Sequence, residues 1–133
     1  MSNPRKVITL QGANMHDIPS FYDEINRVFM VDEDWLLGQS LDALNDLLYG
    51  GFGLIKLDEP VLLVWEHFEE SKKALGVDVT RAYYESKLVP GSPFNKKLFT
   101  EKLQALLAGE GQTYFDIILE VIGEHPDIEL WAK

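Results

Sequence analysis

The chain contains no cysteine. Disulfide staples, thiolate metal sites and cysteine nucleophiles are therefore excluded together, in agreement with a reducing compartment. Histidine is scarce. His16, His67 and His125 lie far apart, no two have metal-ligand spacing, and none falls in an HExxH-like signature. Each is read as a surface, capping or hydrogen-bonding residue, and no metal or cofactor is expected. The motifs GxGxxG, GxxxxGK[ST] and GxSxG are missing too. Gly50-Gly51-Phe52-Gly53 follows a helix rather than a strand, so it reads as a helix stop and loop, not as a phosphate cradle. Long hydrophobic runs are also absent, and the first apolar stretch, Val7 to Leu10, is too brief for a signal-peptide core or a membrane span. The expectation is a cytoplasmic protein with no membrane contact. Basic residues are few: 12 Lys and Arg stand against 22 Asp and Glu, a formal charge of −10. That balance argues against direct binding to nucleic acid and for a basic partner.

What is present suits one soluble α/β domain over residues 1–133, with 46% hydrophobic residues to build its core. The charge is segregated. Asp17 to Asp46 carries eight acids against Arg27 alone, and Glu110 to Glu129 carries six with no Lys or Arg. Between them, Lys87 to Lys102 holds four Lys and only Glu101.

Lys6 to Leu10, rich in β-branched residues, reads as a strand. Asp17 caps a first helix whose buried stripe is Phe21, Ile25, Val28 and Phe29, ending near Met30-Val31. Asp32-Glu33-Asp34 begins a short turn or helix ending at Gly38. Ser40 caps a second helix, Leu41 to Tyr49, stopped by Gly50-Gly51. Val61 to Trp65, with no polar residue, predicts a strand covered on both faces. Glu66 to Leu75 reads as helical with Gly76 as its stop, and Lys87 to Asn95 as a linker or long loop. A helix is predicted from about Leu98 to Leu107. Another, with Thr113 and Asp116 as a capping box, runs to Ile122, and Asp127 to Trp131 forms a last strand. Strands alternating with helices predict about three parallel strands packed with helices. Trp65, Phe21, Ile25, Leu41, Leu44, Leu48, Val61, Leu63, Phe68, Ile118, Ile122 and Leu130 are the expected core.

The second helix divides cleanly around its axis. Leu41, Leu44, Leu47 and Leu48 take one side, and Asp42, Asn45, Asp46 and Tyr49 the other. Exposed carboxylates titrate near pH 4 and are poor acids at neutral pH, so the Asp42/Asp46 pair is not read as a general acid/base couple. It remains either solubilising charge or a binding face. As a binding face it suits a basic cleft, such as one built to hold the phosphates of RNA, because Arg and Lys reward paired carboxylates with charge-assisted bonds. Asp116 and Glu120, one turn apart on the later helix, add a second acidic face.

Two blocks resemble the barstar family, intracellular inhibitors of barnase-type microbial ribonucleases. Gly38-Gln39-Ser40-Leu41-Asp42-Ala43-Leu44-Asn45-Asp46 is similar to the family's Gly-x-Asn-Leu-Asp-Ala-Leu-x-Asp helix. Pro60 to Ser71, with Trp65 and Phe68, is similar to its Pro-x-x-x-x-Trp-x-x-Phe-x-x-Ser segment. The resemblance implies a non-catalytic protein that blocks a nuclease active site through Asp42, Asp46 and Glu120. Leu36, Asn45 and Gly51 stand at or near positions where the family has interface aromatics. The carboxylates survive while those aromatics do not, and Tyr49, Phe52 or Trp35 would have to supply apolar contact. The resemblance also implies two insertions, about five residues near Gly53 to Leu57 and a longer helical or loop segment at about 76–112, before the last helix and strand. The alternative reading is a barstar-like adaptor or regulator that no longer inhibits a nuclease, and self-association stays open.

Overall fold

The structure, a computed structural model, describes residues 5–133; residues 1–4 of the expected span lie outside the described ones. Three strands, β1 (Lys6–Gln11), β2 (Val61–Glu66) and β3 (Ile128–Ala132), form a parallel sheet in the order β1-β2-β3. Ile8 pairs with Leu63, and Leu63 with Leu130. Six helices connect them: α1 (Ile18–Phe29), α2 (Leu41–Tyr49), α3 (Phe68–Ala74), α4 (Val77–Ser86), α5 (Lys96–Leu107) and α6 (Tyr114–Gly123). The fold is the α/β arrangement expected.

Strand order explains one departure. Two successive crossovers step in the same direction across the sheet, and if both take the usual right-handed path their helices fall on one face. Ile8, Leu10, Val61, Leu63, Trp65 and Ile128 accordingly join the helical core. On the other face Val7, Thr9, Glu129 and Trp131 are exposed and Leu62 is half-buried. The apolar run of β2 does not signal cover by helices on both faces; Val64 is buried on the outer side of the sheet without belonging to the core cluster.

Trp65 organises the inner face. It is fully buried, and the rings of Phe21, Phe68 and Phe115 lie 6.2, 5.6 and 5.5 Å from it. Its Nε1 donates to Ser71 Oγ at 2.9 Å, and that hydroxyl in turn donates to the Gly12 carbonyl. A side chain at Gly12 would come within 2.3 Å of Ser71 Oγ and 2.4 Å of the Glu66 carbonyl, so only glycine fits. The spacing Trp65-Phe68-Ser71 is thus one packed and hydrogen-bonded unit. It also corrects a helix boundary. Glu66 ends β2, His67 adopts a left-handed conformation (φ 53°), and α3 begins only at Phe68.

The capping box of Thr113 and Asp116 is present, and the Asp17 cap also forms one with Ser20. Two helices differ from expectation. Helix α5 starts at Lys96 rather than Leu98 because Asn95 Oδ1 accepts from the Leu98 amide, a cap hidden in an apparent linker. Helix α4 lies in the segment expected only as helix or loop, and its sequence, nearly as polar as apolar, gives it no bounds of its own. It is tied inward by Thr80, whose hydroxyl donates to the Gly76 carbonyl and accepts from the Tyr114 amide. Leu41, Phe68 and Leu130 pack against the core but stay partly exposed, the first two opening their helices and Leu130 lying on the edge strand β3.

Two polar networks lie inside. The hydroxyls of Tyr22 and Tyr114 meet at 2.6 Å, and burial pushes the Tyr114 phenol up to about 12. Replacing Tyr114 with Phe strands the Tyr22 hydroxyl, and urea titration should show a loss of about 1–3 kcal/mol. Glu24 is buried beneath Arg27. Burial raises its carboxyl pKa, but hydrogen bonds from Arg27, Asn14 and the Gln11 amide outweigh that and hold it below the usual carboxylate range. Leu44→Ala should cost about 2–5 kcal/mol in the same titration, through lost transfer energy and a cavity under α2.

Candidate functional site

Helix α2 is locked by its inner face. Leu44, Leu47 and Leu48 are buried and Leu41 partly so, while Ser40 Oγ caps the Ala43 amide. Its outer face is therefore fixed in direction. Asp42 and Asp46 project there one turn apart, both exposed. Among the described residues, no salt bridge or side-chain hydrogen bond involves either carboxylate. Helix α6 packs alongside α2 and carries Glu120, also exposed, whose carboxylate accepts from Gln112 Nε2 at 2.6 Å.

Asn45 behaves otherwise. Its Oδ1 lies 2.7 Å from Nε2 of His125, a residue only 5% exposed at the turn between α6 and β3. With the amide oxygen accepting, the imidazole carries its proton on Nε2. The Tyr49 ring packs edge-on against the same imidazole at 4.6 Å, although Tyr49 itself is 62% exposed. Asn45 and Tyr49 thus clip α2 to the α6–β3 turn rather than reaching freely into solvent. The sequence offers little sign of this, as Asn45 and His125 stand 80 residues apart.

Two loops flank α2. Glu33 joins them by accepting from Trp35 Nε1 and from the Gly53 amide, and Trp35 lies 5.1 Å from the Phe52 ring. Leu36 is exposed in the first loop, next to Leu37, whose amide is held by Asn26. Gly51 is exposed at φ 101°, with no atom within 4 Å of where a Cβ would stand. Gly50 has no such room: a Cβ there would sit 2.6 Å from the Lys56 carbonyl group, so the loop closes directly on the end of α2.

Beside Asp42 runs a groove of about 360 Å³ between α2, α4, α5 and α6, with Leu41, Tyr83, Phe99, Lys102 and Glu120 among its walls. A smaller hollow of about 190 Å³ at the far end of α2 holds Tyr49, Asp58, Glu124, His125 and Asp127. Among the described residues, no group of three or more His, Asp or Glu is arranged to hold a metal ion, and no helix is long and apolar enough to cross a membrane.

Burial lowers the His125 pKa, with Glu124 opposing. The folded state therefore favours neutral imidazole. Its contribution to stability is complete above the unfolded value near 6.5 and is lost as pH falls below it. Glu24 acts lower down, its contribution being lost only as pH falls below the ordinary glutamate value. Thermal unfolding between pH 7 and 5 should show a decline in stability that flattens in His125→Gln, whereas Glu24→Gln changes the profile below about pH 4.5.

The family model described as Barstar (barnase inhibitor) matches residues 5–84. The match takes in β1, α1, α2, β2 and α3, and continues through most of α4, into the stretch read from sequence as an insertion. No curated protein matches the chain.

Proposed function

The chain belongs to the barstar family of barnase inhibitors, and from that premise we propose that it is an immunity protein that blocks the basic active site of a secreted or injected nuclease. The favoured target is a ribonuclease, barnase-like or otherwise microbial, met in the cytoplasm. The observation that carries this reading is the pair Asp42 and Asp46, exposed and, among the described residues, without ionic partners, on a helix whose other face is fixed in the core. An enzyme that grips RNA phosphates presents Arg and Lys, and two rigid carboxylates can occupy the anion positions with charge-assisted hydrogen bonds. In the free protein the pair repels at a cost of about 0.2–0.5 kcal/mol. A basic cleft turns that repulsion into attraction. The charge of −10 speeds encounter with such a partner, most at low salt. Glu120 adds a third carboxylate from α6, while Leu36, Tyr49 and Gly51 fall at the edges of the contact.

A second reading, an adaptor that has lost nuclease recognition, draws support from Asn45, which is engaged by His125, and from the bare backbone at Gly51. Capture of partners from the native host separates the two, since an inhibitor retrieves a nuclease whose activity falls in the complex. Retrieval of non-nuclease proteins alone favours the adaptor. With the captured nuclease, Asp46→Ala should weaken binding by about 2–5 kcal/mol and reduce the salt dependence of the association rate in stopped-flow mixing. Wild-type rate and affinity in that variant would remove the face from consideration.

A further inference from the structure

Asn45 sits on the outer face of α2, directly before Asp46, yet its amide oxygen is engaged within the chain. It lies 2.7 Å from Nε2 of His125, and the Tyr49 ring, one turn on, rests edge-on against the same imidazole at 4.6 Å. His125 is only 5% exposed and lies just beyond α6, the helix that carries Glu120. Its backbone amide donates to the Ile122 carbonyl of α6, and its carbonyl accepts from the Ile128 amide of β3. One buried ring therefore grips α2 at two positions a turn apart, while its backbone is tied to α6 and to the sheet.

We propose that His125 is a positioning residue for partner recognition, holding Asp42 and Asp46 of α2 and Glu120 of α6 as one fixed array without touching the partner itself. The proposal rests on the inhibitory reading and adds to it a residue outside the acidic face. Geometry supplies the reason. Leu44, Leu47 and Leu48 bury the inner side of a nine-residue helix, but apolar packing is non-directional and resists roll about the helix axis only weakly. A roll of about 10° carries a side-chain tip about 1 Å at the helix periphery. Charge-assisted bonds hold close to about 2.8 Å, so such a roll breaks them. A hydrogen bond and a ring contact on one flank oppose it, and an array fixed beforehand loses less freedom on binding.

The surroundings keep the ring in the form this needs. Tyr49 from α2, Asp58 from the loop before β2, and Glu124 and Asp127 from the turn share its hollow. Glu124 favours the imidazolium, but burial outweighs it and lowers the His125 pKa. The neutral ring has one N–H, and the Asn45 oxygen takes it. Because that ring is uncharged at neutral pH, a neutral side chain in its place leaves the field of the acidic strip unaltered.

Three substitutions at His125 separate positioning from folding. A glutamine amide nitrogen reaches the place of Nε2, an asparagine amide nitrogen that of Nδ1, and alanine removes both. Urea titration finds conditions in which all three variants are folded. Bound to the nuclease captured from the host, His125→Ala and His125→Asn should dissociate about tenfold faster than wild type. His125→Gln should recover most of that loss, and Asn45→Ala should add nothing to His125→Ala. Association rates and their salt dependence should hold in all of these, whereas Asp46→Ala changes both. In the free protein, with no nuclease needed, His125→Ala should speed amide exchange in α2 about tenfold relative to β2. The proposal is overturned if His125→Ala dissociates at the wild-type rate, if His125→Gln and His125→Asn behave alike, or if exchange in α2 is unchanged. Wild-type binding by Asp46→Ala sinks the acidic face instead, while a loss at Asp46 with none at His125 leaves that face standing.

Discussion

Three of the six α-helices are referenced to one buried side chain, Trp65 on the central strand. A parallel strand flanked on both edges has its backbone satisfied, so its side chains decide what packs above it. The indole meets α1 through Phe21, α3 through Phe68 and α6 through Phe115, and its one polar atom is satisfied by Ser71. Ser71 then holds the turn after β1 through the Gly12 carbonyl. Four separate elements are thereby referenced to one ring. Because α6 is among them, the helix that carries Glu120 is fixed to the same frame as the helices beside it.

Rigidity of α2 follows from a division of labour around its circumference. Leucines hold the inner side, Asn45 and Tyr49 hold one flank through His125, and the loop from Gly50 closes the C-terminal end. What remains free is the narrow strip bearing Asp42 and Asp46. A flexible display of the same charges would lose side-chain and backbone freedom on binding, whereas a strip fixed beforehand loses much less. The bond between Asn45 and His125 thus helps fix the direction in which Asp42 and Asp46 project.

Local chemistry made much of this legible in the sequence. Caps at Asp17, Ser40 and Thr113, the leucine stripe of α2 and the five-residue apolar strand each announce themselves within a few residues. The two carboxylates were readable for the same reason, since a helix phase fixed by four leucines fixes the opposite face as well. Illegible features depend on distant partners. The tie between residues 45 and 125 spans a separation of 80 along the chain, and α4 reveals itself only once Thr80 and Tyr84 find α6 and α5. Strand order was likewise beyond periodicity. An apolar run in β2 looks the same whether helices cover one face or two, and only the β1-β2-β3 order explains the bare outer side.

The segregated charges acquire a physical meaning from this arrangement. Had the Lys of α5 paired with Asp42 and Asp46, the acidic strip would be neutralised within the chain and its field would not reach a partner. Among the described residues no such pair forms; Lys102 enters the groove wall and Lys87 sits on aromatic rings instead. Lys102 along the groove wall and Lys87 over aromatic rings are thus engaged away from the carboxylates. Attraction over a Debye length of about 8 Å at physiological salt then depends on the strip itself. Helix α5 can shape the neighbouring surface without cancelling the charge beside it.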